Sequence, residues 1–160
     1  MTTFSKSQFS SFLREARRAH RAVPGTEICG LIVDSGFHLA LVQARNASRR
    51  SGSFVFSRPD VRRIVAAAEI LGQEVVGTFH SHPAAPAIPG ASDIVNAVDD
   101  SLMLIFDCIA RCGRLWRIRS GRARELSFTT RPNHALQRTR RGRCGCNRCV
   151  PCAGSLSLGR

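Results

Sequence analysis

The sequence predicts one mixed α/β domain in which a central mixed β-sheet is flanked by helices. Helical and strand-like patterns alternate from about residue 5 to residue 129, with no internal repeat. The chain of 160 residues is 43% apolar, enough for one domain with its own core and too short for two. The last thirty residues differ, with seven arginines and no acidic residue. We therefore expect a folded domain over residues 1–130 and a disordered basic tail over residues 131–160.

The first half of the domain has the pattern helix, hairpin, helix. Apolar residues recur every three or four positions over residues 5–22, which predicts an amphipathic helix that a Pro-Gly pair ends. The apolar runs "EICGLIVDS" and "GFHLALVQARNAS" predict two strands joined by a tight turn at Ser35 and Gly36. After a loop and a short extended piece, a Pro-Asp pair opens a second helix, for which Gly72 is the expected C-cap.

The second half begins with the segment "EVVGTFHSHP" at residues 74–83, which predicts a strand that a proline stops. A loop over residues 84–91 follows. Ser92 is the predicted N-cap of a third helix, with Asp93 in its first turn, where a negative charge is favourable. Three strands in a meander separated by glycine turns complete the domain, and their sequences are "SLMLIFDCIA", "RLWRIRSG" and "RARELSF".

Charge and hydropathy narrow the function classes. The net charge of +13 is divided between +6 before residue 131 and +7 in the last thirty residues, so we do not expect a nucleic-acid partner for the domain. No apolar run approaches the ~18–20 residues that span a bilayer, which argues against a membrane protein. The N-terminal residues contain no apolar core of a secretion signal, so a cytoplasmic location is expected.

The strongest chemical signal is the pair His80 and His82. Residues two apart on a strand point the same way, so both imidazoles would present nitrogen to one zinc ion. Asp93 suits the third ligand position, because three prolines stiffen the loop that leads to it. Alternatively, the histidines are incidental, since an H-x-H pair alone is a weak motif. Histidine pairs also occur at the metal sites of amidohydrolase and phosphoesterase barrels, but those barrels need roughly 200 residues or more. Zinc deaminases need H-x-E, whereas the residue two positions after His80 is His82. Neither class fits.

A glutamate upstream of the histidines supplies a second chemical signal. Hydrolysis by a zinc-activated water needs a general base, and burial of a carboxyl group raises its pKa toward the working pH. Glu27 stands at the start of the apolar run "EICGLIV" and is the strongest candidate. The alternative is a carboxylate at the end of a strand that faces water.

Together, Glu27 in "EICGLIV", the segment "VVGTFHSHP", and Asp93 in "PGASD" resemble the JAMM/MPN (JAB) metallopeptidases. The resemblance covers residues from about 5 to 129 and includes "NAS" at residues 46–48. It implies a single MPN-like domain of the bacterial type, with Zn²⁺ held by His80, His82 and Asp93. It further implies a zinc-bound water as nucleophile and Glu27 as general acid/base.

The reaction that this resemblance implies is hydrolysis of an amide or isopeptide bond in a protein or peptide substrate. In the family the bond typically follows the C-terminal tail of ubiquitin, or of ubiquitin-like and sulfur-carrier proteins in bacteria. One position departs from the pattern: Gly90 stands where the family has a serine that stabilises the oxyanion. Ser92 is a candidate substitute, and a catalytically weak binding scaffold of the same fold is the alternative function.

The tail carries four cysteines, Cys144, Cys146, Cys149 and Cys152. Their spacing is cramped for one tetrahedral zinc knuckle, so either a small metal site or an extension without a role is compatible with the sequence. Nucleic-acid binding through the arginines of the tail is a further alternative function.

Overall fold

In the computed structural model, which describes residues 2–132, eight strands form one mixed sheet. The strands are β1 (Thr2–Ser5), β2 (Cys29–Asp34), β3 (Leu39–Ala44), β4 (Glu74–His82), β5 (Ser101–Asp107), β6 (Cys112–Arg119), β7 (Arg122–Leu126) and β8 (Phe128–Arg131). The helices of these residues are α1 (Lys6–Ala22), α2 (Arg58–Ile70) and α3 (Ala91–Val95). The predicted mixed α/β fold is confirmed, and residues 133–160 of the predicted tail lie outside the described residues.

The sheet curls around α1. Its strand order is β7-β6-β5-β4-β2-β3-β1-β8, so β7 and β8 lie at opposite ends of the order, yet Ser127 alone separates them in the chain. The two edges must therefore be neighbours. Helix α1 fills the interior: the ring of Phe9 lies 5.1 Å from that of Phe106 and 5.6 Å from that of Phe128. This arrangement buries the apolar stripe that the helical periodicity predicts.

The other face of the sheet is covered by α2 and by the segment that contains α3. Helix α2 packs Ile64 and Ala68 against Leu31 and Val33 of β2. A separate cluster joins residues of β5 and β6 to the loop before α3, and its buried members are Ala87, Met103, Ile105 and Ile118. Helices on both faces give the sheet the flanked arrangement that the sequence predicts.

Strand β4 lies at the centre of the sheet and carries the histidine pair. It pairs antiparallel with β2 and parallel with β5, and Cys29 lies opposite His80 in the register. Two glycines permit this close packing. A Cβ at Gly77 would collide with the backbone carbonyl of Leu102, and one at Gly30 would collide with the carbonyl of Val42. Glycine is therefore required on β2 and β4 for reasons of space rather than of backbone angle.

Four local predictions are corrected. The first strand β1, which pairs with β8 from Thr2↔Phe128 onward, was not expected. Helix α3 has Gly90, not Ser92, as its N-cap, because the carboxylate of Asp93 accepts the Gly90 N–H at 2.7 Å. The turn between β5 and β6 contains Arg111 with φ of 57° rather than a glycine. The last predicted strand is divided into β7 and β8.

Candidate metal centre

Three ligating atoms converge at the C-terminal end of β4. The Nε2 atoms of His80 and His82 are 3.1 Å apart. The Oδ2 atom of Asp93 lies 3.6 Å from the first and 3.7 Å from the second. Two atoms that each lie about 2.0–2.1 Å from one tetrahedral zinc ion are about 3.3–3.4 Å apart. The three residues that sequence reasoning nominated as ligands are thus brought together with the spacing of a zinc site.

The loop after β4 orients His82. Its Nδ1–H donates to the carbonyl of Pro86 at 2.6 Å, so Nε2 is the ring nitrogen that faces the cluster and that the neutral ring would offer to a metal. The proline-rich segment therefore does more than return the chain to Asp93, because it also sets the tautomer of a ligand. A hydrogen bond to the second ring nitrogen is the usual support of a metal-binding histidine.

His80 is oriented by packing. Its side chain is fully buried, and its ring stacks on that of Phe54 with centroids 4.6 Å apart and planes 26° from parallel. Among the described residues 2–132, its Nδ1 has no hydrogen-bond partner. Nε2 is therefore the ring nitrogen that the cluster uses. Phe54 contributes to the site without having been anticipated from the sequence.

The electrostatics of the cluster suit a cation. Burial lowers the pKa of His80 and keeps its imidazole neutral, although Asp93 opposes this shift. Burial alone would raise the pKa of Asp93, but hydrogen bonds with His80 and His82 hold it far below the usual range. Burial alone would lower the pKa of His82, but hydrogen bonds with Asp93 and with the Pro86 carbonyl raise it. Once His82 releases its proton, two neutral nitrogens and a carboxylate oxygen offer their lone pairs to one space. A divalent cation is the species that such a donor set accepts, so the residues fit zinc.

Glu27 stands beside this cluster. It lies two residues before β2, is only 6% exposed, and shares a cleft with His82 and Asp93. Burial raises the pKa of its carboxyl group to about 7, with His82 lowering it and Asp93 raising it further. The alternative of a glutamate that faces water does not apply. A carboxyl group with this pKa exchanges protons readily near neutral pH.

Gly90 and Ser92 lie at the entrance to α3. The backbone at Gly90 has φ of −76° and ψ of 169°, which any residue adopts, and a Cβ there would lie 3.4 Å from Oδ2 of Asp93. Ser92 is exposed in the first turn of the helix. The nominated role of Ser92 as an oxyanion donor stays a prediction. His20 and His38 lie outside the cluster, and each makes a hydrogen bond within the turn next to it.

A family model of prokaryotic homologs of the JAB domain matches residues 5–119 of the chain. The fold is similar to that of a protein from Desulfitobacterium hafniense, with a TM-score of 0.69, 24% identity, and coverage of 84% of this chain and 97% of that one. A JAB1/MPN domain protein from Archaeoglobus fulgidus has a TM-score of 0.50 and 20% identity, covering 81% and 99%.

A protein from Salinibacter ruber has a TM-score of 0.50 and 22% identity, with coverage of 84% of this chain and 94% of that one. No curated protein is similar enough in sequence to count as a match. Within residues 2–132, none of the helices has the length and apolar character needed to cross a bilayer.

Proposed function

We propose that this chain, which belongs to the family of prokaryotic homologs of the JAB domain, is a zinc-dependent hydrolase of amide or isopeptide bonds. The resemblance inferred from the sequence motifs to the wider JAB/MPN group is confirmed by that membership. The observation that carries the proposal is the convergence of His80, His82 and Asp93 beside the buried carboxyl group of Glu27. A metal site alone would serve structure or binding equally well, whereas a proton-exchanging carboxyl group beside it serves hydrolysis.

The residues divide the work as follows. His80, His82 and Asp93 would hold the metal through two nitrogens and one oxygen. A zinc ion held there would supply Lewis acidity for the activation of a water and the polarisation of the scissile carbonyl. Glu27 removes a proton from the attacking water and returns it to the departing amine, and its pKa of about 7 suits both transfers.

The proposed substrate is a protein or peptide that offers an accessible amide bond. The tail of a ubiquitin-like or sulfur-carrier protein is the class that the family resemblance suggests, with the cytoplasm as the location. The cleft beside the site supports an external substrate, because Glu27, Phe54, His82, Gly90 and Asp93 all line it. We expect the domain to bind nucleic acid weakly if at all, because its net charge before residue 131 is only +6.

Metal binding is tested on the full chain by measuring zinc content after dialysis against a zinc buffer. Wild type is expected to retain stoichiometric zinc, and His82→Ala is expected to lose it because one of three protein ligands is gone. His38→Ala is the matched control, since His38 is exposed in the turn between β2 and β3. A zinc-free wild type, or equal zinc in His82→Ala, would overturn the metal assignment.

Hydrolysis is tested with a peptide that ends in Gly-Gly and is joined through an amide to a fluorescent amine. Glu27→Gln is expected to keep zinc and to lower turnover by roughly 10²–10⁴-fold, the usual contribution of a general acid/base. Glu74→Gln is the control, because Glu74 is exposed at the far end of β4. Equal turnover by wild type and Glu27→Gln would contradict the proposed role of Glu27.

A second candidate function follows from Gly90, whose lack of a hydroxyl removes a hydrogen-bond donor from the site. Loss of one oxyanion donor costs on the order of 10²–10³ in rate. A zinc-loaded protein that hydrolyses no substrate, even as Gly90→Ser, would favour a scaffold that binds protein tails without cleaving them.

A further inference from the structure

One side chain, that of Asn46, ties the loop between β3 and α2 to the segment that carries Glu27. Its Nδ2 donates to the carbonyls of Glu27 at 3.0 Å and Ser53 at 3.1 Å. Its Oδ1 accepts the N–H groups of Ser48 at 2.8 Å and Val55 at 3.1 Å. An amide side chain has two donor hydrogens and two acceptor lone pairs, so Asn46 uses its full capacity.

Asn46 occupies the position where the ladder between β2 and β3 would continue. The antiparallel register ends at Cys29↔Ala44, and two further residues along each strand lead to Glu27 and Asn46. The backbone of Asn46 instead bridges to Phe56. The side chain of Asn46 therefore supplies the hydrogen bond that the ladder no longer provides to the carbonyl of Glu27.

The peptide group between Glu27 and Ile28 is held at both ends. Asn46 binds its carbonyl, and the Oγ of Ser81 accepts its N–H, which belongs to Ile28, at 2.9 Å. Ser81 lies between the two histidines on β4. The orientation of this peptide plane sets the direction in which the Glu27 side chain leaves the backbone, and hence the place of its carboxyl group.

The acceptor half of Asn46 acts on the other side of the site. By holding the N–H of Val55, it fixes the loop residue next to Phe54, whose ring stacks on His80. The carbonyl of Val55 in turn accepts the N–H of Ala47 at 2.7 Å. The same amide thus supports the ring that covers a ligand and the backbone that aims the acid/base.

We propose that Asn46 is a positioning residue that holds Glu27 in register with the ligand cluster while it keeps Phe54 against His80. The inference rests on the hydrolytic function proposed above. Asn46 touches neither the ligating atoms nor a substrate, so its effect on rate passes through Glu27 rather than through the metal.

Asn46→Asp separates the two halves of the amide. It keeps an acceptor oxygen for Ser48 and Val55 but replaces the donor to Glu27 by a second acceptor, whereas Asn46→Ala loses both halves. Asn96→Asp is the matched control, because that amide donates to a single carbonyl, of Ser92, on the surface. All variants are compared as full-length protein loaded with zinc, and again with cobalt, whose absorption spectrum reports the ligand set.

In the variant Asn46→Asp, kcat is expected to fall about tenfold or more with an unchanged cobalt spectrum, since two hydrogen bonds to carbonyls are lost. In a Glu27→Gln background the same substitution should have no further effect on kcat. Equal losses in both backgrounds, or no loss in either, would overturn the proposal. Asn96→Asp should leave kcat within about twofold of wild type.

Amide hydrogen exchange tests the positioning role of Asn46 without requiring that the protein hydrolyse a substrate. The Ile28 N–H should be protected in wild type and should exchange about tenfold faster or more in Asn46→Asp, because the peptide loses its anchor at the carbonyl. Unchanged exchange at Ile28 would overturn the positioning role whether or not the protein hydrolyses a substrate. A wild type that shows this protection but no hydrolysis would remove the proposed reaction and leave the anchoring intact.

Discussion

Glu27 is a carboxyl group that folding takes out of water, and its raised pKa links stability to pH. Between the ordinary value of 4.5 and the folded value of about 7, the folded state holds a proton that the unfolded state has released. The contribution of this group to stability therefore falls as pH rises through that interval, and the penalty is complete above it.

We predict that metal-free Glu27→Gln is more stable than metal-free wild type at pH 8, by about 1–3 kcal/mol at 1.4 kcal/mol per unit of pKa. The difference should shrink as the pH falls through that interval and close below the ordinary value of 4.5, where the folded and the unfolded carboxyl groups both bind the proton. Urea unfolding at several pH values measures it, with Glu74→Gln as control. A difference that stays constant with pH would show that charge burial is not the cause.

Replacement of Gly90 by serine should raise the rate of hydrolysis. The backbone angles of Gly90 suit any residue, and an added Cβ makes only an ordinary contact with Asp93. We predict that Gly90→Ser raises kcat by about tenfold or more, because the hydroxyl supplies a donor to the oxyanion. Gly90→Ala adds the same carbon without the hydroxyl and should leave kcat near wild type. Equal rates for the serine and alanine variants would exclude a hydroxyl effect.

At the scale of single elements, the parts that follow local periodicity were predicted from the sequence. Their apolar patterns span seven or more residues or end in clear turn signals. These elements are helices α1 and α2, the hairpin of β2 and β3, and strand β4 with its histidines. The nominated ligands lie together for the same reason, because an H-x-H pair on a strand has one geometry.

The parts that were missed depend on contacts between distant residues. Strand β1 is four residues long and mostly polar, and its partner β8 lies more than a hundred residues away. The sequence pattern favoured Ser92 as the N-cap of α3, but Gly90 occupies that position. Its N–H binds the carboxylate of Asp93, which the histidines also contact. Phe54 and Asn46 likewise act through long-range contacts that no local pattern encodes.

Strand β4 offers a test of how the sheet positions the ligands. The space beside Gly77 is filled by the backbone of Leu102, which cannot rotate away as a side chain would. We predict that Gly77→Ala destabilises the protein by about 3 kcal/mol and weakens zinc binding, since β4 must shift from β5. Urea unfolding and zinc titration measure both effects, with Gly90→Ala as control. If Gly77→Ala were as stable as wild type, β4 and β5 would have space for the added Cβ and the predicted steric conflict would be wrong.

At the scale of the whole molecule, the two ends of the described chain complete the sheet together. Strand β8 lies beside β1 from Thr2↔Phe128 to Ser5↔Arg131, and Phe128 packs its ring edge-on against Phe4 at 5.4 Å. The boundary expected at residue 130 falls inside this pairing. A folded unit must therefore extend at least to Arg131, because a shorter one loses ladder hydrogen bonds and leaves β1 as an open edge.

Truncation tests this closure. We predict that residues 1–132 unfold cooperatively with the midpoint of the full chain, whereas residues 1–127 lose about 3 kcal/mol or more through the missing aromatic contacts and strand pairing. Phe128→Ala in the full chain separates the two causes, since it keeps the backbone ladder and removes only the ring. Full stability of the 1–127 fragment would show that β8 is not part of the folding unit. A lower midpoint for 1–132 would assign a stabilising role to the residues beyond it, and the sheet alone would then not account for the stability of the protein.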